Sequence, residues 1–578
     1  MAVNPLSPGV FIDEISVFPP SVAPVATAIP AFIGYTEKAI INGVQWNYGT
    51  DGVAPAVRIT SMLEYEQIFG VAFPEPFAIT LTGPSTLPAD TSIAVTGTLS
   101  EYTMHYNLRM YFANGGGPCY IVSVQAFPSA ISHTDLINGI AITEKADEVT
   151  LLVTPEAIAS TINSAQRALV HSTMLDLCNK LKDRFSIMDV IAGTNSNTDS
   201  ATFRNNETGL NNLKYGAAYY PALNTLLTRY YLDSAVGITD SRTGGTFGNT
   251  NKLSDVLNGI SASGIITISS IGSGNIIKVD TATFVADNTV LGQITFSTGS
   301  SDSDATNNLV IAINNASLAV TAVRIPSTTT IKVTAKVAGT TGNSIFLRSG
   351  TGGLTPSSPT GTLSGGISAD KTLYNNITAA LQTNTMRLYP SSTMAGIYAG
   401  VDRDRGVWKA PANVSIAGVI APSLNITAAD QENLNVDATS GKSINAIRTF
   451  TGKGVLVWGS RTLAGNDNEW RYVPVRRLFI FAEESIGKAS EFVVFEPNDR
   501  NTWTRVKTLI SNFLTNLWRD GALAGATPKE AYFVKVGLGE TMTAQDILEG
   551  KLIIQVGLAA VRPAEFIILQ FSHKLQES

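Results

Sequence analysis

One stretch governs how this chain can be partitioned. From residue 236 to 370, Gly, Ser, Thr and Asn dominate and charges thin out. Short β-branched runs (Ile265-Ile266-Thr267-Ile268, Ile276-Ile277-Lys278-Val279, Ile331-Lys332-Val333) alternate with turn residues. β-branched residues that recur this regularly predict a small all-β module, not a disordered linker. Mixed sequence lies on both sides, ending at Tyr219-Tyr220-Pro221 and resuming near Arg387-Leu388-Tyr389, so the module reads as an insertion in the outer face of a larger domain. A chain of 578 residues has room for roughly two to four domains.

Upstream, from Ile29 to about Pro221, strands and helices alternate. Tyr102 to Phe112 predicts a helix stopped by Gly115-Gly116-Gly117, then the strand Cys119-Tyr120-Ile121-Val122-Ser123-Val124. Val149 to Val153 predicts a second strand. Thr154-Pro155-Glu156 opens a helical pattern with Ala168, Leu169, Leu175, Leu177 and Leu181, and Phe185 to Ile191 returns as a strand. Strand, helix and strand at this spacing point to a parallel crossover. Before this region, Gly9-Val10-Phe11-Ile12-Asp13-Glu14-Ile15 reads as one strand isolated by Pro5, Pro8, Pro19 and Pro20. It either forms an ordinary edge strand or pairs with something distant, including another chain.

The last third is the richest. Val455-Leu456-Val457-Trp458 predicts a buried strand, Tyr472 to Glu484 a helix carrying Arg476-Arg477, and Phe492-Val493-Val494-Phe495 another strand. From Thr502 to about Arg519, Trp503, Val506, Ile510, Phe513, Leu514 and Leu517 fall at three- and four-residue steps and form one apolar stripe. Strands follow at Ala531 to Val536 and Leu552 to Val556, with a short helix from Thr543 to Glu549 between them. A last strand runs from Glu565 to Phe571.

Several function classes find no support. A net charge of −6 argues against general nucleic-acid binding, which needs a basic face to displace counterions. Cys119 and Cys178 form no disulfide framework, the N-terminus lacks a basic-then-apolar leader, and no apolar run is long enough to span a bilayer. His105, His133, His171 and His573 lack metal-ligand spacing. Gly441-Lys442-Ser443 ends like a phosphate loop, but Val436 stands where that loop needs glycine. Asp402-Arg403-Asp404-Arg405 offers carboxylates for acid–base work, yet alternating charge beside Gly406 is the pattern of an ion-paired or solvated turn. No catalytic, cofactor-binding or metal-binding residue is expected, and no cofactor.

A set of stretches in fixed order then resembles the contractile tail sheath family of phages and phage-like injection systems. They are Ser7-Pro8-Gly9-Val10-Phe11-Ile12-Asp13-Glu14, Asn114-Gly115-Gly116-Gly117-Pro118-Cys119-Tyr120, Arg405-Gly406-Val407-Trp408-Lys409-Ala410-Pro411-Ala412-Asn413 and Asn445-Ala446-Ile447-Arg448. After these come Val457-Trp458-Gly459, Arg461-Thr462-Leu463, Glu469-Trp470-Arg471-Tyr472-Val473 with Arg476-Arg477-Leu478, Phe495-Glu496-Pro497-Asn498, Leu517-Trp518-Arg519-Asp520-Gly521-Ala522-Leu523 and Gly525-Ala526-Thr527-Pro528. The likeness is dense over 395–572, thin over the first 235 residues and absent from 236–370.

The resemblance implies an α+β, multidomain tail-sheath architecture: a mixed α/β inner domain, an outer domain carrying a β-rich insertion, and extended terminal arms. The corresponding ranges are an N-terminal arm 1–28, an outer domain 29–235 with 371–394, the surface insertion 236–370, an inner core 395–560 and a C-terminal arm 561–578. It implies a structural subunit that polymerises helically around an inner tube and contracts. Its partners would be copies of itself, the tube protein, and baseplate and tail-terminator proteins, with no nucleic acid and no membrane insertion. Assembly would take place in the bacterial cytoplasm. Gly9, Val10, Phe11, Ile12, Asp13 and Glu14, with Glu565, Phe566, Ile567, Ile568, Leu569 and Gln570, would be the arms that complete sheets in neighbouring copies. Arg505, Lys507 and Asn512, on the polar side of the Thr502–Arg519 helix, are expected to face the tube. A surface adhesin or another β-rich assembly protein is the alternative.

Overall fold

A computed structural model describes residues 22–85, 91–193, 195–287, 294–350, 352–357 and 361–568. The chain forms two compact units. Among the described residues, one comprises 22–72, 101–227 and 386–568, the other 73–100 and 228–385.

The first unit is built on a nine-stranded sheet. Its order is Val414–Ser415, Gly454–Val457, Asn445–Phe450, Gly216–Tyr220, Phe185–Asp189, Leu151–Val153, Pro30–Thr36, Cys119–Ala126 and Val57–Ile59. The ladders from Asn445–Phe450 through to Cys119–Ala126 are all parallel, and antiparallel strands close both edges. Pro30–Thr36, Phe185–Asp189 and Gly216–Tyr220 are buried at every position, as expected of parallel strands covered on both faces. The expected crossover is present: Leu151–Val153 and Phe185–Asp189 pair in parallel and are joined by the Ser164–Leu181 helix. That helix begins ten residues later than the sequence pattern suggests. Asn163 and Gln166 form its capping box, while Glu156 is buried under Tyr35.

The Met104–Ala113 helix ends at Asn114, and Gly115 turns the chain at φ +99°. Gly115 approaches Gly400 Cα, and Gly396 lies against the Tyr111 carbonyl. These small residues let the Met104–Ala113 and Ser391–Arg405 helices pack with their backbones nearly touching.

A second core in this unit lies beneath the Arg500–Arg519 helix. Val506, Leu509, Ile510, Phe513, Leu514 and Leu517 are buried with Val407, Leu478, Phe481 and Val22. The apolar stripe read from the sequence is therefore the packed face, and Asp499 caps the helix through the Thr502 N–H. Two nearby expectations differ from the fold. Phe492 to Phe495 is no strand: Glu491–Val493 forms a 3₁₀ turn and Phe495 stands fully exposed at φ +69°. The strand predicted at 552–556 lies at Gln555–Leu558, paired with Tyr532–Lys535, and the Ile553 carbonyl before it accepts from Thr541 Oγ1.

The second unit contains a four-stranded sheet, Asn251–Lys252, Gly237–Asp240, Ala78–Thr82 and Ser92–Thr96. Its core joins Ile79, Leu81 and Ile238 to Leu373, Ile377 and Leu381 of the Lys371–Gln382 helix. The Gly/Ser/Thr-rich stretch forms two further four-stranded sheets, with the expected strands at Ser263–Ile268, Ile276–Val279 and Thr330–Ala335. It is not all-β. The Asp302–Asn315 helix buries Ala305, Leu309 and Ile313 among those sheets, and Ser301 caps it through the Asp304 N–H. No helix among the described residues is long and apolar enough to cross a membrane.

Candidate functional site

In doubly wound sheets, ligands bind outside the carboxyl ends of the parallel strands. Here those ends are used by the fold itself. Glu156, just after Leu151–Val153, accepts from the N–H groups of Tyr35 (2.7 Å), Thr103 (2.8 Å) and Met104 (3.2 Å), which closes the start of the Met104–Ala113 helix. Asp189, ending Phe185–Asp189, accepts from the N–H (2.7 Å) and hydroxyl (2.5 Å) of Ser391 at the start of the next helix. Both carboxylates complement a helix N-terminus. Burial pushes each up to about 7, against the pull of these donors.

Several other chemistry-bearing side chains have structural occupations. Cys119 and Cys178 are buried, and burial raises both thiols, Cys178 to about 12. His171 bonds the Glu207 carbonyl, and burial lowers it to about 4, so it is neutral. Lys442 of the phosphate-loop-like triplet donates to the carbonyls of Arg204 and Thr208. Asp402 is not in a turn. It sits in the last helical turn before Gly406, buried against Arg477 at 2.5 and 3.0 Å, while Arg403 and Asp404 pair on the surface.

Of the residues expected to face a tube, Arg505 and Asn512 lie seven positions apart, hence on one flank of the Arg500–Arg519 helix. Arg505 rests over the Phe492 ring, 5.5 Å from its centroid. Lys507 is two residues on, about 200° around the helix from Arg505. Its ammonium lies 3.7 Å from Glu540, so the helix does not gather all three residues on one line.

Of the expected arms, Gly9 to Glu14, Leu569 and Gln570 lie outside the described residues. Phe566, Ile567 and Ile568 are 71%, 79% and 82% exposed and form no strand. Both ends of the described chain are rooted on the Val473–Ala489 helix. Near the start, the Val25 N–H donates to Ser485 Oγ and Arg477 donates to the Thr27 carbonyl. Near the end, Tyr472, the N-cap residue of that helix, donates to Glu565. The C-terminal segment walls a cleft of about 770 Å³ that is also lined by Trp408, Arg448, Trp458 and Tyr472. Neither the Arg477 anchor nor the Glu565 contact was legible in the sequence, because each joins positions far apart in the chain.

Residues 465–574, spanning both the tail-end anchor and the Arg500–Arg519 helix, match the family model of the phage tail sheath C-terminal domain. This part of the chain is similar to the C-terminal domain of phage tail sheath proteins. The tail sheath protein of Vibrio phage KVP40 is 25% identical over 31% of this chain and 25% of its own length. That of Burkholderia phage BcepMu is 29% identical over 29% of this chain and 36% of its own. The chain thus matches well under half the length of these curated tail sheath proteins. Several solved structures match nearly end to end, two contracted sheaths among them. The contracted helical sheath of the anti-feeding prophage is 27% identical, covering 99% of this chain and 100% of the other, with a TM-score of 0.54. The contracted sheath complex of the extracellular contractile injection system PVC is 26% identical, covering 99% of each, with a TM-score of 0.53. The matched region, 465–574, overlaps the stretch whose resemblance was densest, 395–572.

Proposed function

We propose that this chain is the sheath subunit of a contractile injection tail, which polymerises helically around an inner tube and shortens to drive that tube through a target envelope. The observation that carries the reading is the end-to-end likeness to two contracted sheath proteins, together with a sheath C-terminal domain at residues 465–574. Supporting it, Glu156, Asp189, Cys119, Cys178, His171 and Lys442 are spent on packing and helix capping, whereas Phe566, Ile567 and Ile568 stand exposed near the C-terminal end. A head-to-tail contact repeated without closure produces a helical tube. Contraction is then rigid-body reorientation of subunits, released from a kinetically trapped extended state.

In this reading residues 395–560 form the inner core, with Arg505, Lys507 and Asn512 towards the tube. Residues 29–235 with 371–394, whose strands share the nine-stranded sheet with those at 414–457, supply the outer surface, 236–370 project from it, and 1–28 and 561–578 are arms shared with neighbouring copies. The subunit assembles in the bacterial cytoplasm and meets tube, baseplate and terminator proteins. The adhesin alternative lacks comparable support.

Electron microscopy of the purified full-length chain tests the proposal. Hollow, cogged tubes are expected; a chain that stays unassembled at every concentration and salt condition, with or without the tube protein, contradicts it.

A further inference from the structure

We propose that Glu565 is the positioning residue of the C-terminal arm: its carboxylate, clamped by Arg461, Asn435 and Tyr472, fixes the point at which the arm leaves its own subunit for a neighbour. The inference rests on the sheath reading and adds a named device to it.

The clamp gathers donors from separate segments onto one carboxylate. Arg461 donates Nε at 2.9 and 3.1 Å and Nη2 at 2.6 Å, Asn435 Nδ2 donates at 2.8 Å, and the Tyr472 hydroxyl at 3.1 Å. Charge-assisted, forked geometry of this kind is both strong and directional. Burial by itself would raise the Glu565 carboxyl, but Arg461, Asn435 and Tyr472 outweigh it and hold the group below the usual range, so it stays ionised at neutral pH.

The clamp is also anchored from behind. Arg461 is 4% exposed, and its Nη1 donates to the Asn435 carbonyl. Asn445 holds the Arg461 backbone from both sides, accepting from its N–H at 2.7 Å and donating to its carbonyl at 2.8 Å. Asn445 in turn belongs to the central sheet and donates to the Ala218 carbonyl. An unbroken series of bonds therefore runs from the sheet through Asn445 and Arg461 to Glu565.

Beyond Glu565 the support changes abruptly. Phe566, Ile567 and Ile568 are each more than two-thirds exposed, although apolar. A tail held by packing would bury them. Over 561–568 the segment is instead held by its one acidic residue there, with Pro563 restricting the backbone just before it and Arg562 donating to the Asn468 carbonyl. Apolar residues presented without cover, directly after a rigid ionic anchor, suit an arm whose apolar partners lie in a second copy of this chain.

The test uses the full chain, Glu565→Gln, and a truncation lacking residues 569–578. Each is assayed for tubule yield by sedimentation and microscopy and for the melting temperature of the unassembled subunit. A nitroxide at Ile567→Cys reports arm mobility, since Cys119 and Cys178 are buried. Glu565→Gln keeps the shape and removes the charge. It is expected to lower tubule yield about tenfold or more, leave the subunit melting temperature unchanged and sharpen the nitroxide spectrum. If the truncation blocks assembly while Glu565→Gln assembles normally with an unaltered spectrum, the clamp is overturned and the arm survives. If the truncated chain forms normal tubules, the arm reading fails and the clamp with it. A fall in subunit melting temperature matching the fall in yield assigns Glu565 to the fold and also overturns the proposal.

Discussion

Arg477 and Asp402 form a buried ion pair whose loss should be felt through the whole first unit. Their side chains are 3% and 5% exposed. The Arg477 guanidinium spans both Asp402 oxygens, donates to the Thr27 carbonyl at 2.8 Å and lies 4.6 Å from the centre of the Tyr398 ring. Replacing Asp402 with Leu strands a buried cation with one carbonyl and one ring face for compensation. Removing one partner of such a pair costs about 3–5 kcal/mol. Large folded units lose roughly 2 °C of melting temperature per kcal/mol, so the first transition should fall by about 6–10 °C. The double variant Asp402→Leu with Arg477→Met removes both charges at similar volume and should recover most of that loss. Differential scanning calorimetry of the wild type, both single variants and the double variant closes the cycle. A loss below about 1 kcal/mol in either single variant, or additive losses in the double, refutes the reasoning.

Three further outcomes follow from the same geometry. Glu156 and Asp189 stay protonated in the fold up to about pH 7 but ionise in the unfolded chain near 4.5 and 3.8. The folded state then binds more protons in that window, so stability should fall as pH rises from about 4 to 7, by about 3 kcal/mol for Glu156 and about 4 kcal/mol for Asp189, and level off above it. Urea titrations across that range check this, and Glu156→Gln should flatten the slope. Phe513→Ala, beneath the Arg500–Arg519 helix and 6.0 Å from the Phe481 ring, should cost about 3–5 kcal/mol, against under about 0.5 for the exposed neighbour Asn512→Ala. Lys507→Glu disturbs only a half-exposed contact with Glu540, so the subunit should lose less than about 1 kcal/mol. It should nonetheless lower the yield of extended particles around a tube, as counted in micrographs.

Periodicity carried far where one element satisfied one pattern. The Arg500–Arg519 helix and the parallel crossover through Ser164–Leu181 were both legible, because burial on one stripe or one strand pair is a local property. The Asp302–Asn315 helix was missed although its signal was present. Ser301 and Asp304 make an N-terminal cap, and Ala305, Leu309 and Ile313 fall at four-residue steps, hidden by the polar composition around them. Phe492 to Phe495 misled for the opposite reason: a four-residue apolar run carries no period, and here it turns and exposes Phe495. The anchors at the two ends were beyond any local pattern. Arg477 reaches Thr27 and Arg461 reaches Glu565 across hundreds and about a hundred positions respectively, so only the folded chain pairs them.

Helical reconstruction of native particles before and after triggering tests the central claim most directly. The account predicts that this chain forms the outer layer around a tube, and that on triggering the layer shortens and widens while each subunit keeps its fold and its neighbours. An outer layer made of another protein, or a layer of this chain whose length does not change on triggering, contradicts it.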